Sequence, residues 1–276
     1  MAHSAVAPSS PVSSAPGERV PLLEELRLDH GPIERLGAFL LRADAALVDR
    51  GIRLYRCPIS ELVRVNALNR ESWGAFSPIL DVRVAPLGPA DSYCLTGTTA
   101  SGEIVVAQGG RLLDTMLGTL QDLADSQSIY YGHPHQPDIA QPRCTMNVPM
   151  ARELRGRLVC SGGTWVKPSH RGLGLAAILP RISRTLALGW WNTDYTISFL
   201  SDSLAKSPVL KSYGYTNIQP GYSIQQNGQE TYRGSLVWMS RAAMLDDLQE
   251  FQLRGLAEID RQIDRGGRQQ QSAPAR

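Results

Sequence analysis

Apolar residues along this chain follow two rhythms, one of the helix and one of the strand. Leu36, Leu40 and Leu47, with their neighbours, place an apolar stripe at helical spacing across 32–50. Ile52 to Tyr55 reads as a short extended stretch ending at Cys57-Pro58, because the residue before a proline is kept out of the helical region. Ser60 is placed to cap a helix running to about Trp73, with Leu62, Val65 and Leu68 on its apolar side. Residues 92–99 and 103–108 are rich in β-formers and meet at Ala100-Ser101-Gly102, which predicts a hairpin. Thr119 to Tyr131 reads as helix, and 132–149, with four prolines, as a loop. Leu158 to Val166 reads as a strand in which Gly162 and Gly163 signal a bulge or a close backbone approach. A helix from about Leu173 to Trp190 follows, then a strand from Tyr195 to Leu200, a short helix from Pro208 to Tyr213, and a last strand over 231–239. Leu245, Leu248, Leu256, Ile259 and Ile263 give 241–264 one apolar face. Hairpins alternating with helices predict a mixed α/β fold, with a sheet that is not purely parallel.

The two ends break both rhythms. Residues 1–20 are rich in Ala, Ser and Pro, and residues 266–276 read GGRQQQSAPAR. Neither has enough apolar surface to offset the entropy of ordering, so both are expected to be disordered tails. They would flank a body over 21–240 and an amphipathic C-terminal helix over 241–265.

Composition narrows the partners. Hydrophobic residues make up 42% and charged residues 20%, enough for a sizeable core. Lysine and arginine number 28 against 26 acidic residues, so the net charge of +2 gives no field that would gather nucleic acid. No uncharged apolar run reaches the roughly 18 residues of a membrane span. The first residues lack the basic-then-apolar order of a secretory signal, and a cytoplasmic location is expected. Cys57, Cys94, Cys144 and Cys160 are far apart, form no C-x-x-C pair, and read as reduced, buried thiols. His133-Pro-His135 with Asp138 is the nearest approach to ligand spacing. A polar loop explains it equally well, and no metal is expected.

Chemistry concentrates in Thr164 to Leu186, TWVKPSHRGLGLAAILPRISRTL. A strand runs into Pro168, then Arg171, then Gly172 and Gly174, then a helix whose buried face carries Leu175, Leu179, Ile182 and Leu186. The glycines remove side chains where the helix starts, so its free N–H groups can face an anion closely, with Arg171 adding charge beside them. A phosphate or pyrophosphate cradle follows from that physics. Three readings compete. One is a glycine turn with a purely structural role. The second is the dinucleotide fingerprint, Gly172-x-Gly174-x-x-Ala177 with Asp194 twenty residues on, although Lys167 to Arg171 intervene between strand and turn and Asp194 precedes the second strand.

The third is a family resemblance. Val166-x-Pro168-x-x-Arg171-Gly172-x-Gly174-Leu175-Ala176-x-x-Leu179 resembles the acyl-CoA-binding motif of the GCN5-related N-acetyltransferases, with Arg171, Gly174 and Ala176 at its three defining positions. The strand, short helix and Gly214-Tyr215 that follow also resemble that family, and the likeness spans roughly residues 52–240.

The resemblance implies a mixed, mostly antiparallel twisted sheet flanked by helices, in which the strand before the motif splays from its neighbour and opens a V-shaped cleft. It implies backbone pairing of Trp165 and Val166 with the pantetheine arm of acetyl-CoA, and pyrophosphate binding by Arg171, Gly172, Leu173, Gly174, Leu175 and Ala176. The implied reaction is direct attack of an amine, on a small molecule or on a peptide or protein, upon the thioester. Positioning, oxyanion stabilisation by an N–H near Val166 and proton removal would drive it. Three departures stand out. Leu210 occupies the position where the family often has a tyrosine acid. Cys160 and Ser161 stand about where many relatives have a glutamate base. Pro180 interrupts the motif helix, where a kink is expected. The ionisable candidates for proton transfer are then Tyr213 and Asp202.

Other conspicuous residues have plainer readings: Trp190-Trp191 as helix-end packing, Tyr130, Tyr131 and Tyr222 as loop or core anchors, and His170 as a solvated neighbour of the cradle. The expected function is acetyl transfer from acetyl-CoA to a primary amine, in a chain that admits a homodimer. The alternatives are a silent acyl-CoA-binding or sensing module, and an acyltransferase that uses a longer acyl-CoA or an acyl carrier protein as donor.

Overall fold

The strand-like runs assemble into one nine-stranded sheet, and the helical runs cover its two faces. The structure is a computed structural model and describes residues 19–263 apart from 25, 260 and 262. The expected tails therefore lie outside the described residues, save Arg19 and Val20. Val20–Pro21 forms strand β1, and the Arg19 guanidinium donates to Glu61 at 3.0 Å.

Helix α1 (Ile33–Val48) buries Leu36, Phe39, Leu40, Ala43 and Leu47, the stripe read from sequence. β2 (Arg53–Cys57) leads into α2 (Ile59–Leu68) and the single turn α3 (Arg70–Trp73). Helix α2 starts one residue before Ser60, with Pro58 at its cap position and no side-chain cap. Proline needs no N–H there and its φ is already set for a helix start. β3 (Ser92–Thr98) and β4 (Ile104–Thr115) form the expected hairpin. The helical segment after Thr119 divides into α4 (Leu120–Asp125) and α5 (Ser128–Tyr131), because Gln127 between them takes a left-handed conformation. Thr119 and Asp122 close a reciprocal capping box at the start of α4.

The proline-rich loop contains a strand, β5 (Arg143–Met146). β6 (Gly156–Val166), α6 (Leu175–Trp191) and β7 (Tyr195–Ser201) form the crossover unit that carries the glycine motif. The turn α7 (Asp202–Ala205) and helix α8 (Val209–Tyr213) precede a hairpin of β8 (Asn217–Gln226) and β9 (Gln229–Ser240). The C-terminal segment is not one regular helix. α9 (Arg241–Glu250) passes into a π-helical turn, Phe251–Gly255, before helix resumes at Leu256.

The strand order is β1-β2-β3-β4-β6-β7-β9-β8-β5. Every neighbouring pair is antiparallel except β6 and β7, which the α6 crossover makes parallel. The sheet is thus mixed and mostly antiparallel. One face packs Leu54, Tyr93, Leu95 and Val106 against α1 and α6. The other packs Cys94, Ala107, Leu113 and Cys160 against α2, the 78–80 turn and α4–α5. All four cysteines are buried and free. Trp190 and Trp191 pack around Tyr93, with ring centroids at 5.3 and 5.5 Å, and Trp190 Nε1 donates to the Arg27 carbonyl. Among the described residues no helix is long and apolar enough to cross a membrane.

A buried ionic cluster joins the helices behind the cleft. Arg181 and Arg184 lie one turn apart on α6, and Arg184 is fully buried. Asp247 on α9 accepts two bonds from Arg181, at 2.9 and 2.7 Å, and one from Arg184 at 3.1 Å. The same guanidinium groups donate to the carbonyls of Ser212 and Tyr213, at 2.7 Å each, fixing the end of α8.

Candidate active site

The V-shaped opening arises where β6 leaves β7. The two strands pair only through Leu158–Tyr195, Val159–Thr196 and Cys160–Ile197. Beyond Cys160, β6 keeps its other partner, β4, but the register shifts: Ala107 faces Trp165 and Gly109 faces Gly162. Gly163 and Thr164 thus stand opposite the single residue Gln108, a β-bulge whose Gly163 has φ of 61°. The bulge turns β6 away, and its edge past Cys160 has no partner on β7. β7 meanwhile continues along β9 to Ser201–Gly234. Glycines at 162 and 163 read from sequence as a bulge or a close approach; Gly163 forms the bulge with Thr164, while Gly162 stays paired with Gly109.

A cavity of about 630 Å³ fills the split. Its floor is Cys160, Ser161 and Gly162 from β6 and Ser198 and Phe199 from β7. Trp73, Phe76, Ile79 and Leu80 form an apolar wall on one side, while Tyr213, Tyr215 and Pro180 close the other. Trp165 stacks on Trp73 with ring centroids 5.5 Å apart and donates from Nε1 to Ser72 Oγ at 3.0 Å. The β6 end is thereby fixed against the α3 turn. Gln108 lies buried at the bulge, where its Nε2 donates to Ser161 Oγ at 2.8 Å. Ser161 Oγ continues to Ser183 Oγ at 2.8 Å, and Ser183 to Tyr93 at 2.7 Å.

The glycine turn sits where β6 emerges. A 3₁₀ turn, Pro168–His170, leads to an extended Arg171, then to Gly172 at φ 86° and Gly174 at φ 71° as the cap residue of α6. Positive φ at two nearby positions is why glycine is needed. Among the described residues, none of the N–H groups from Gly172 to Ala176 has a backbone acceptor. The two glycines differ in surroundings. A Cβ on Gly172 would meet nothing within 4 Å, whereas one on Gly174 would lie 2.2 Å from Ile259 Cγ2. Gly172 therefore opens to solvent, and Gly174 admits the C-terminal helix. Arg171 is exposed and folds back, donating to the carbonyls of Val166 and Ser72 at 3.2 Å each. Leu173 is held through its carbonyl by Arg50 Nε at 2.9 Å, Leu175 is buried, and Ala176 packs towards Leu200 and Tyr213. α6 continues unbroken through Pro180 to Trp191.

The proton candidates part company. Tyr213 lines the cavity, and burial pushes its phenol up from the usual value. Asp202 does not line it. It opens α7 beside Ser201, and its charge helps hold the Tyr232 phenol high. Leu210 packs in the small cluster around Tyr213. Burial raises the Cys160 thiol to about 12, so it is no nucleophile at neutral pH. Tyr130 and Tyr222 share a hydroxyl–hydroxyl bond of 2.5 Å, and Tyr222 stacks on Phe199 at the cavity edge. His170 bonds Ser169 at the surface. His135 packs on Tyr131 and bonds Gln141, and among the described residues no group of three potential metal ligands exists.

Gln108, Asp81 and Arg83 were not legible as site residues. They come from segments far from the motif in sequence. The buried Arg181–Arg184 pair did carry a signal, since two arginines on the apolar stripe of one helix demand a partner.

No protein-family model matches the chain, and no curated protein matches it. Several solved structures are similar. AAC(6')-Ib in complex with paromomycin and acetyl-CoA is 14% identical, over 70% of this chain and 95% of that one, with a TM-score of 0.38. NAA60 of Arabidopsis thaliana in complex with acetyl-CoA is 14% identical, over 68% and 99%, with a TM-score of 0.39. FeeM, an N-acyl amino acid synthase from uncultured soil microbes, is 11% identical, over 83% and 93%, with a TM-score of 0.33.

Proposed function

We propose that this protein is an N-acyltransferase that takes an acyl group, most simply acetyl, from acyl-CoA and passes it to an amine. The observation that carries the reading is a coincidence of three features. A parallel strand pair splits, a cavity fills the split, and a turn of bare N–H groups starts the helix that follows the splayed strand. A thioester on a long polar arm with a diphosphate fits that arrangement. The unpaired edge of β6 through Trp165 and Val166 would bond the amides of the arm. The N–H groups from Gly172 to Ala176 would hold the diphosphate, with Arg171 swinging from its carbonyl partners to add charge. Gly172, whose missing side chain leaves open space, lets a diphosphate approach closely.

Within the cleft, the amine attacks the thioester carbon while a β6 N–H near Val166 stabilises the oxyanion. Tyr213 would supply a proton to the departing thiolate. Its burial against the cavity wall keeps it protonated, so it serves as an acid and not as a base. Asp202, set back from the cavity, would have no direct part.

Thiol release from acetyl-CoA tests this. The protein should liberate CoA thiol in the presence of an amine, and Tyr213→Phe should lower kcat by about 10²-fold with acyl-CoA affinity unchanged. Asp202→Asn should stay within about twofold. Tight acetyl-CoA binding without thiol release for any amine would instead establish the sensing module.

A further inference from the structure

An amine attacks a thioester only as its free base, so the groups that face the cavity decide which amines can react. This step rests on the transfer reading above. Among the described residues that line the cavity, the carboxylate is Asp81, and both its oxygens are taken. Oδ1 accepts from Arg83 N and Nε at 2.9 and 2.8 Å, and Oδ2 accepts from Arg83 Nη2 at 2.6 Å. From α8 and the loop after it come Tyr213 and Tyr215; from β8 and β9 come Tyr222 and Tyr232. Burial raises all four phenols, Tyr215 and Tyr232 to about 12, so they donate protons at neutral pH and do not take them. Cys160 on β6 is raised likewise. Asp202 is set behind Ser201, outside the lining. The remaining charge on the wall is Arg70 on α3, exposed and cationic.

We propose that the acceptor is the free α-amine of a peptide N-terminus, and not a lysine side chain or a polyamine. The ordinary α-amine ionises near 7.7–8.0 and the lysine ε-amine near 10.4. At pH 7.5, about a quarter to two-fifths of the first is already neutral, against about 0.1% of the second. In a site whose lining offers no open base, the α-amine presents roughly 200–300-fold more of its reactive free base, an advantage that the greater nucleophilicity of the neutral ε-amine offsets only in part. A polyamine also brings a second ammonium group towards Arg70, at a Coulombic cost that a peptide avoids. A peptide bond beside the amine keeps it weakly basic, whereas the carboxylate of a free amino acid does not. The apolar wall of Trp73, Phe76 and Ile79 suits an uncharged first side chain.

The balance is simple. The nitrogen lone pair forms a C–N bond to the acyl carbon and the C–S bond breaks. One proton leaves nitrogen, one reaches sulfur, and an amide and CoA thiol result.

The test is thiol release from acetyl-CoA by the full chain at pH 7.5 with three acceptors: a lysine-free tetrapeptide with a free N-terminus, its N-acetylated counterpart carrying one lysine, and spermidine. The first should exceed the others by at least about 50-fold in kcat/KM. In a second readout, alanyl and β-alanyl versions of the tetrapeptide are compared across pH. The break in log kcat/KM should move upward with the more basic amine. A break fixed at one pH for both peptides would mean that an ionising group of the protein sets it, and would overturn the proposal. So would preference for the lysine peptide or spermidine, which leaves the transfer reading standing. If acetyl-CoA binds but no acceptor releases thiol, transfer and this inference fall together.

Discussion

Asp247→Ala will lower the stability of the folded chain by about 3–5 kcal/mol, the cost of leaving a buried charge without its partner. Asp247 sits between two guanidinium groups, one of them on the fully buried Arg184. Burial already pulls Arg184 down to about 10, and the Asp247 charge opposes that shift. Removing the carboxylate leaves two positive groups side by side with carbonyl oxygens, the Met239 sulfur and the Phe251 and Tyr215 ring faces around them, and no counter-charge. For a domain of this size about 2–4 °C is lost per kcal/mol, so the melting temperature should fall by roughly 10 °C. Thermal unfolding followed by circular dichroism checks this. Asp247→Asn keeps acceptor capacity but no charge and should fall between. A loss below about 1 kcal/mol in the alanine variant would mean that the cluster relaxes to water. Because the same arginines hold the carbonyls of Ser212 and Tyr213, the variant should also loosen α8 and the phenol it presents to the cleft.

How far such features can be read from sequence depends on how local they are. The stripe in α1, the 92–108 hairpin and the β6–turn–α6 unit are each encoded within a few consecutive turns, and they form where periodicity and glycine placement put them, although β4 runs on to Thr115. β5 was hidden because Arg143–Met146 is short and set among prolines, and only its pairing with β8 makes it a strand. β8 itself reads NIQPGYSIQQ, with Pro220 and Gly221 at a register shift, so no alternation announces it. The C-terminal helix was read from an apolar face that is real, but a face does not encode the π turn that re-aims it. Asp247 bonds to arginines 66 and 63 positions away, a pairing that no local pattern encodes.

Gly172→Glu will reduce acyl-CoA affinity by 100-fold or more with the fold retained. Gly172 is exposed, and a side chain there enters open space in front of the bare N–H groups. A carboxylate about 4 Å from a phosphate charge costs about 4 kcal/mol at the effective dielectric of a protein surface, while 100-fold requires about 2.7 kcal/mol. The positive φ of 86° adds strain for any side chain, so Gly172→Ala is the matched control and should keep most of the affinity. Gly174 is the poorer place for this test, since a Cβ there would collide with Ile259 and disturb the C-terminal helix as well as the cradle. An affinity for Gly172→Glu within threefold of the parent would put the diphosphate elsewhere.

The glycine turn with its bare N–H groups was legible because its geometry is a property of consecutive residues: Arg171, two glycines and a helix start. The cavity was not. Its wall comes from the 70–84 segment, β4, β6, β7, α8 with the loop after it, β8 and β9, and the burial that keeps Tyr213 and Cys160 protonated exists only once those segments meet.

The most direct measurement is calorimetric titration of the unmodified protein with acetyl-CoA and, separately, with NAD. Acetyl-CoA is expected to bind at one site per chain, with NAD giving no saturable heat, because the turn is separated from its strand by Lys167 to Arg171 and opens beside a split sheet edge that suits a pantetheine arm. Saturable binding of NAD, or no binding of acetyl-CoA, would contradict the assignment of the glycine turn and the cleft to an acyl-CoA donor.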